Sequence, residues 1–407
     1  MTANSTPEGW QPILDGALAS RATDALRAIA RDVANVPEPS SDVAVFWAYV
    51  ANVFEGEFED AHAAAMQGLE REIVREPYSV GLFSGVAGTA WAVAHCAEDA
   101  DAYLELVDQQ IVDALNSDGP WRGHYDLISG LVGLGVYFLE RGEAPLAVSG
   151  LEAVIERLAQ WSERHGEQIT WHTPIALVPA HEHARYPTGW YNCGLAHGVP
   201  GVVSIAARIA ERNVARARAA ELRDGGVAWL YAQRTIDPAR SRFPTTASPA
   251  QDGSARTAWC YGDPGVILSL WDAASRSGAP TDELRELAVT VLSRSPELAA
   301  VRDAPLCHGA SGLAHIANRM FHATGDARFR DLARGWYEHA LAMQRPSGGI
   351  GGFYAYHPPM DGTDRDPWVS EPELLDGVVG IGLALAAAIT AMEPEWDRKM
   401  LCDVRAP

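Results

Sequence analysis

Two kinds of apolar pattern alternate along this chain. In one, apolar residues recur at the 3.6-residue period and leave a charged face; residues 13–34, 60–75, 100–115, 145–165, 215–233, 281–292 and 327–343 read this way, as solvent-facing helices. In the other, apolar residues run almost unbroken, as in Thr89-Ala-Trp-Ala-Val-Ala-His95, Val266-Ile-Leu-Ser-Leu-Trp271 and Ile381-Gly-Leu-Ala-Leu-Ala-Ala387. A helix apolar on all sides is a buried helix. Each buried stretch follows a Gly-x-x-Gly pair, at Gly85–Gly88, Gly130–Gly133, Gly198–Gly201, Gly262–Gly265, Gly309–Gly312 and Gly377–Gly380. These are units of one repeat, unevenly spaced because insertions lie between them.

Alternation of buried and half-exposed helices is the pattern of an all-α, α/α toroid, with an inner ring and an outer ring. Ring closure crowds the inner N-termini, where glycine permits close backbone approach and unusual φ. Residues 13–34 and 43–54 add one outer and one inner helix without the glycine signature, so seven pairs are expected in a single domain spanning 1–407. Two stretches break the pattern. Residues 167–192, with Ile169-Thr-Trp-His-Thr-Pro174 and Ile175-Ala-Leu-Val178 bounded by prolines, read as a small β excursion. Residues 345–373, rich in Gly, Pro and Asp, read as a long loop, whose aromatics Phe353, Tyr354, Tyr356 and Trp368 suit a substrate-facing role.

Composition narrows the function classes. The 407 residues are 47% hydrophobic and 21% charged, as in a soluble globular protein, and 32 Lys and Arg against 53 Asp and Glu leave a net charge of −21. A nucleic-acid binder needs a cationic face, so that class is set aside. Residues 1–9 lack the basic and apolar regions of a signal peptide, and the longest apolar run, Val378 to Thr390, falls short of a membrane span. Five widely scattered cysteines form no disulfide framework and fit a reducing cytoplasm.

The chemistry gathers at the repeat mouths. Cys260 stands in Trp259-Cys260-Tyr261-Gly262, and Cys307 and His308 stand in Cys307-His308-Gly309. Two thiols and an imidazole at equivalent mouths can converge on one ion, and a zinc held by three ligands keeps an open position for catalysis. A lone cysteine is ordinarily a small buried hydrophobe, which is the reading for Cys96, Cys193 and Cys402. His197, in Ala196-His197-Gly198, faces the same opening from another mouth and suits a general acid or base. Asp126, shortly before Gly130, either orients an imidazole or caps the helix. Arg256 and Tyr261 either hold an anion or steady an enolate, or serve as structural hydrogen-bonding groups. His315 and His322 read as core or surface residues, and His172, His181 and His183 as surface residues.

Ala196-His197-Gly198, Trp259-Cys260-Tyr261-Gly262 and Cys307-His308-Gly309, in that order and set among six Gly-x-x-Gly units, resemble the signature of the lanthionine synthetase C-like cyclases over about residues 80–390. The resemblance implies a seven-fold α/α toroid with a central Zn2+ held by Cys260, Cys307 and His308. It implies His197 as acid/base, with Asp126, Arg256 and Tyr261 at active-site positions. The implied reaction adds a peptide cysteine thiol to dehydroalanine or dehydrobutyrine in a dehydrated precursor peptide. A dehydratase and an exporter are implied partners, through which the protein would lie at the membrane periphery. Three other readings compete: a stand-alone enzyme adding a small thiol such as glutathione, a non-catalytic peptide-binding scaffold with structural zinc, and an α/α-toroid glycosidase, which needs paired carboxylates.

Overall fold

The computed structural model describes residues 9–37, 40–73, 79–83, 85–97, 101–235, 241–247, 255–359 and 363–407. The first eight residues, on which most of the signal-peptide reading rests, lie outside them, as do the ends of two outer stretches and part of the 345–373 loop. The two apolar patterns fold as the two rings they suggest. In chain order the helices are α1 (Gly16–Val33), α2 (Ser41–Val50), α3 (Glu59–Ile73), α4 (Val86–Cys96), α5 (Asp101–Asn116), α6 (Leu131–Glu140), α7 (Ala147–Trp161), α8 (Val199–Glu211), α9 (Arg216–Ala232), α10 (Asp263–Ser277), α11 (Asp282–Leu292), the single turn α12 (Pro296–Ala299), α13 (Ala310–Thr324), α14 (Ala327–Ala342) and α15 (Val378–Ile389). Among the described residues α2, α4, α6, α8, α10, α13 and α15 form the inner ring, and α1, α3, α5, α7, α9, α11 and α14 the outer one. The fold is an α/α toroid.

Most inner helices pack on the outer helix that follows them, α2 on α3, α8 on α9 and α13 on α14. The first outer helix is the exception. α1 does not pair with its sequence neighbour α2 as the pattern suggested; it covers α15, the last inner helix, while α15 also packs on α2. The ring is closed by this exchange. It is fastened by the Trp10 indole N–H donating to the Ala387 carbonyl at 2.7 Å and the Ile13 N–H donating to the Ala388 carbonyl at 2.9 Å.

Each Gly-x-x-Gly pair lets a mouth loop lie directly on the helix it introduces. A Cβ on the second glycine would stand 1.9 Å from the Leu306 carbonyl oxygen at Gly312, 2.0 Å from that of Leu82 at Gly88 and 2.0 Å from that of Leu374 at Gly380. Close approach is therefore the common cause. Unusual φ is not: of the six first glycines only Gly262 is left-handed, at φ +120°, and the other five are extended.

The β excursion begins slightly earlier than expected. β1 (Glu163–His165) pairs antiparallel with β2 (Gln168–Thr170), and β3 (His172–Thr173) with β4 (Trp190–Tyr191). Ile175–Leu177 is a 3-10 turn rather than an extended piece, its Leu177 N–H returning to the Pro174 carbonyl at 2.9 Å. Four apolar letters between prolines carry no period that separates the two. In the 345–373 loop, β5 (Ala355–Tyr356) pairs with β6 (Trp368–Val369).

The last residues enter the ring. The 3-10 segment Glu395–Met400 brings Asp397 against Arg319 and His315, each at 2.6 Å, and Lys399 against Asp42 at 2.9 Å. Asp403 meets Arg208 at 2.5 Å, and Arg208 also reaches Asp272 at 2.7 Å. Buried charges survive only when paired in this way. Among the described residues no helix is long and apolar enough to cross a membrane.

Candidate functional site

The mouths are laced to one another by their backbones. Two residues before each first glycine stand Phe83, Ile128, Ala196, Cys260, Cys307 and Leu375. Phe83 N–H donates to the Ile128 carbonyl at 3.1 Å, and Leu127 N–H to that of Ala196 at 3.2 Å. Ala196 N–H then donates to Cys260, Cys260 to Cys307 and Cys307 to Leu375, at 3.4, 3.3 and 2.9 Å. The two sulfurs thus occupy one register position on neighbouring mouths. The next position in that register carries Ser129, His197, Tyr261, His308 and Asp376, a run of polar side chains where the neighbouring helices are apolar. Adjacent Cys307 and His308 both reach the opening because they precede the helix rather than sit within it.

Candidate ligand atoms of Cys260, Cys307 and His308 lie within 4.8 Å of one another. Both cysteines are buried, and His308 is 15% exposed. The three groups share protons. The hydrogen bond from Cys307 is the largest influence on Cys260 and, with His308, outweighs burial to bring its thiol down to about 5. The same bond, joined by burial, holds the Cys307 thiol well above its usual value. Burial pulls His308 down, but hydrogen bonds to Asp303 and Cys260 carry it up to about 10. A thiolate stabilised beside a second thiol and an imidazole is a donor set that fits a zinc ion.

A cavity of about 770 Å³ opens beside His308 and is lined also by Arg256, Arg302, Asp303, His357 and Asp376. Arg256 is exposed at its rim. A smaller cavity of about 130 Å³ holds His197, Asp126 and Tyr261, with Thr173, Leu177 and Trp190 of the β excursion as its far wall. Here His197 Nδ1 donates to Asp126 Oδ2 at 2.6 Å, while Asp126 Oδ1 accepts from the Ser129 N–H at 2.8 Å. Asp126 therefore orients the imidazole and caps the loop together. Burial lowers the pKa of His197, but the Asp126 hydrogen bond and charge more than offset it, and the net shift is upward. The Tyr261 ring stacks on His197, centroids 6.1 Å apart, and its hydroxyl accepts from Asn192 Nδ2 at 3.1 Å. Burial raises its pKa, leaving the phenol a neutral donor.

Other sequence candidates fall elsewhere. His315 is buried against Asp397, His322 accepts from the Gln11 N–H, and His183 bonds the Val178 carbonyl. Asp263 is buried against Arg294 and two backbone N–H groups, a structural role. Three polar residues at the site are new. Asp303 lies 3.5 Å from His308 Nε2, His124 lies 4.0 Å from Asp126, and His357 reaches the larger cavity from the 345–373 loop. Asp303 and His124 each stand six residues before a first glycine, as Arg256 does, and that shared register was the available signal. His357 has no such register.

Comparison with known proteins bears on the family and the fold. The family model described as lanthionine synthetase C-like protein matches residues 41–401. A curated relative, nisin biosynthesis protein NisC of Lactococcus lactis subsp. lactis, is 23% identical over 260 residues, 58% of this chain and 61% of its own length. The alignment thus spans less than two thirds of that relative. The solved structure of nisin cyclase superposes with a TM-score of 0.72 at 18% identity, covering 89% of this chain and 90% of its own, a likeness of fold.

Proposed function

The chain belongs to the lanthionine synthetase C-like family, and on that premise we propose that it is a zinc-dependent cyclase acting as one toroidal domain. It joins cysteine thiols of a dehydrated precursor peptide to dehydroalanine or dehydrobutyrine, forming thioether rings. The observation that carries this reading is the convergence of Cys260, Cys307 and His308 beside the His197–Asp126 pair. Cys260, Cys307 and His308 would hold a zinc ion, which would supply the Lewis acidity that lowers the pKa of an incoming thiol. Arg256 and the rim of the larger cavity receive the peptide beside His308. The sulfur adds to the β-carbon of the dehydro residue, and negative charge moves to the acceptor as an enolate. His197, its Nδ1 fixed by Asp126, gives a proton from Nε2 to the α-carbon. Tyr261 and Arg256 steady the enolate. The thiol loses one proton and the α-carbon gains one, so the reaction is an isomerisation. The five free cysteines suit a cytoplasmic setting, where a dehydratase and an exporter would be partners.

The test uses a synthetic peptide with one dehydroalanine and one cysteine a few residues apart. Cyclisation removes the alkylatable thiol without changing the mass. A mass gain equal to an added small thiol, with the peptide cysteine untouched, would favour the small-thiol enzyme. Neither change, with zinc bound, would sink the catalytic reading and leave a peptide-binding scaffold.

A further inference from the structure

Three guanidinium groups line the larger cavity, those of Arg256, Arg302 and Arg365. All three residues are exposed, and among the described residues none of these groups has a carboxylate or hydrogen-bond partner. That is unexpected on a chain of net charge −21, which has carboxylates to spare. Elsewhere exposed arginines meet them: Arg164 reaches Glu221 at 2.5 Å and Arg328 reaches Glu286 at 2.7 Å. Unanswered cations gathered around one cleft draw an anion from outside the chain.

The two carboxylates in the same cavity are turned toward the sulfur site. Asp303 Oδ2 accepts from the Tyr356 N–H at 2.8 Å and lies 3.5 Å from His308 Nε2. Asp376 lies 3.3 Å from His308 Nδ1 and bonds the Cys307 thiol. The rim is left to the arginines. Arg302 is also held in place there. Its guanidinium lies over the Tyr356 ring, 5.0 Å from the centroid, and that ring meets Trp368 edge to face at 5.3 Å. Stacking occupies the flat face of a guanidinium and leaves its in-plane N–H fork free, the geometry that takes a carboxylate by two parallel bonds.

We propose that Arg302 and Arg365 select peptides that carry a carboxylate close to the reacting cysteine, and that this contact anchors the thiol beside His308. The inference rests on the cyclase reading above and gives its substrate class. Arg302 precedes Asp303, which faces His308, so the anchor and the sulfur site share one wall. A cavity of about 770 Å³ is on the order of 11 Å across, the length of about three residues of extended chain. The carboxylate therefore belongs within about three residues of the cysteine, on an acidic side chain or on the peptide's own C-terminus. A lysine at that place meets like charges and is rejected.

The experiment measures binding to the zinc-loaded full chain by fluorescence anisotropy, with labelled peptides that carry serine in place of the dehydro residue and so close no ring. Three peptides have Glu, Gln or Lys beside the cysteine and an amidated end; a fourth has Gln there and a free C-terminus one residue further on. The Glu peptide should bind about tenfold tighter than the Gln peptide. That ratio should fall to near one when Arg302→Gln and Arg365→Gln are combined. Arg302→Glu should turn the preference toward the Lys peptide, an inversion that misfolding cannot produce. A fourth peptide as tight as the Glu peptide, and weakened by the same substitutions, supports the proposal with the chain end as the source of the carboxylate. Equal affinities of the wild type for the Glu and Gln peptides, or a ratio unchanged in the double variant, overturn it. An arginine-dependent preference in a protein that closes no ring in the dehydroalanine peptide overturns the proposed function and leaves this inference standing.

Discussion

The Asp126 carboxylate grips the His197 imidazole at 2.6 Å from a mouth 71 residues earlier in the chain, and it decides the protonation of that ring. With Asp126 present, His197 keeps its proton above the ordinary imidazole value of 6.5; burial alone would push it below. In Asp126→Asn the alkaline limb of the kcat–pH profile should move to lower pH. Near neutral pH kcat should fall on the order of 10²-fold or more, as for loss of a general acid, while zinc content stays unchanged. Stability follows the same sign. The raised folded pKa gives stabilisation that is complete below about 6.5 and disappears as pH climbs through the folded value. Asp126→Asn should invert that dependence in denaturant titrations, stability then falling as pH drops below about 6.5.

Metal retention separates ligand from acid. Cys307→Ala and His308→Ala should lower zinc from about one tight equivalent to almost none. His197→Ala should keep the zinc and lose turnover. Equal metal loss in all three variants, measured on folded protein, would contradict the division of roles.

The second glycine of each pair carries a steric demand that a matched substitution can isolate. Gly312→Ala places a methyl 1.9 Å from the Leu306 carbonyl oxygen and should destabilise by about 3 kcal/mol. Gly335, inside α14, has nothing within 4 Å of the same methyl. Gly335→Ala should therefore stabilise by about 0.5–1 kcal/mol through helix propensity. Denaturant midpoints shifting in opposite directions are the expected result.

Arg319 and Asp397 form a buried pair between α13 and the terminal segment. Arg319→Met removes the cation opposite Asp397, leaving only the His315 contact, and should cost about 3–5 kcal/mol. Combining it with Asp397→Leu should recover only part of that loss, because the buried His315 then loses the carboxylate it bonds at 2.6 Å.

Much of this molecule was legible because its chemistry keeps register with its repeat. Cys260 and Cys307 stand at one offset from their glycines, and His197, Tyr261 and His308 at the next, so one pattern located all five. Asp376 shares the second offset as well, but His357 reaches the cavity from a loop that has no periodicity. The terminal residues were opaque for another reason. Asp397, Lys399 and Asp403 have the composition of a solvated tail, and only Arg319, Asp42 and Arg208, distant in sequence, make their burial tolerable. The partner of α1 was equally hidden, since helix periodicity reports which face is covered but not by what.

Some of the residues that brace the sulfur-bearing mouths follow both cysteines in the chain. Cys307 takes its backbone acceptor from Leu375, the Trp259 indole beside Cys260 takes its acceptor from Met400, and Trp10 and Ile13 are tied to Ala387 and Ala388. A nascent chain that has already emitted both thiols cannot yet assemble the frame around them. An ion bound by Cys260 and Cys307 would therefore be captured only after those later residues have joined the ring.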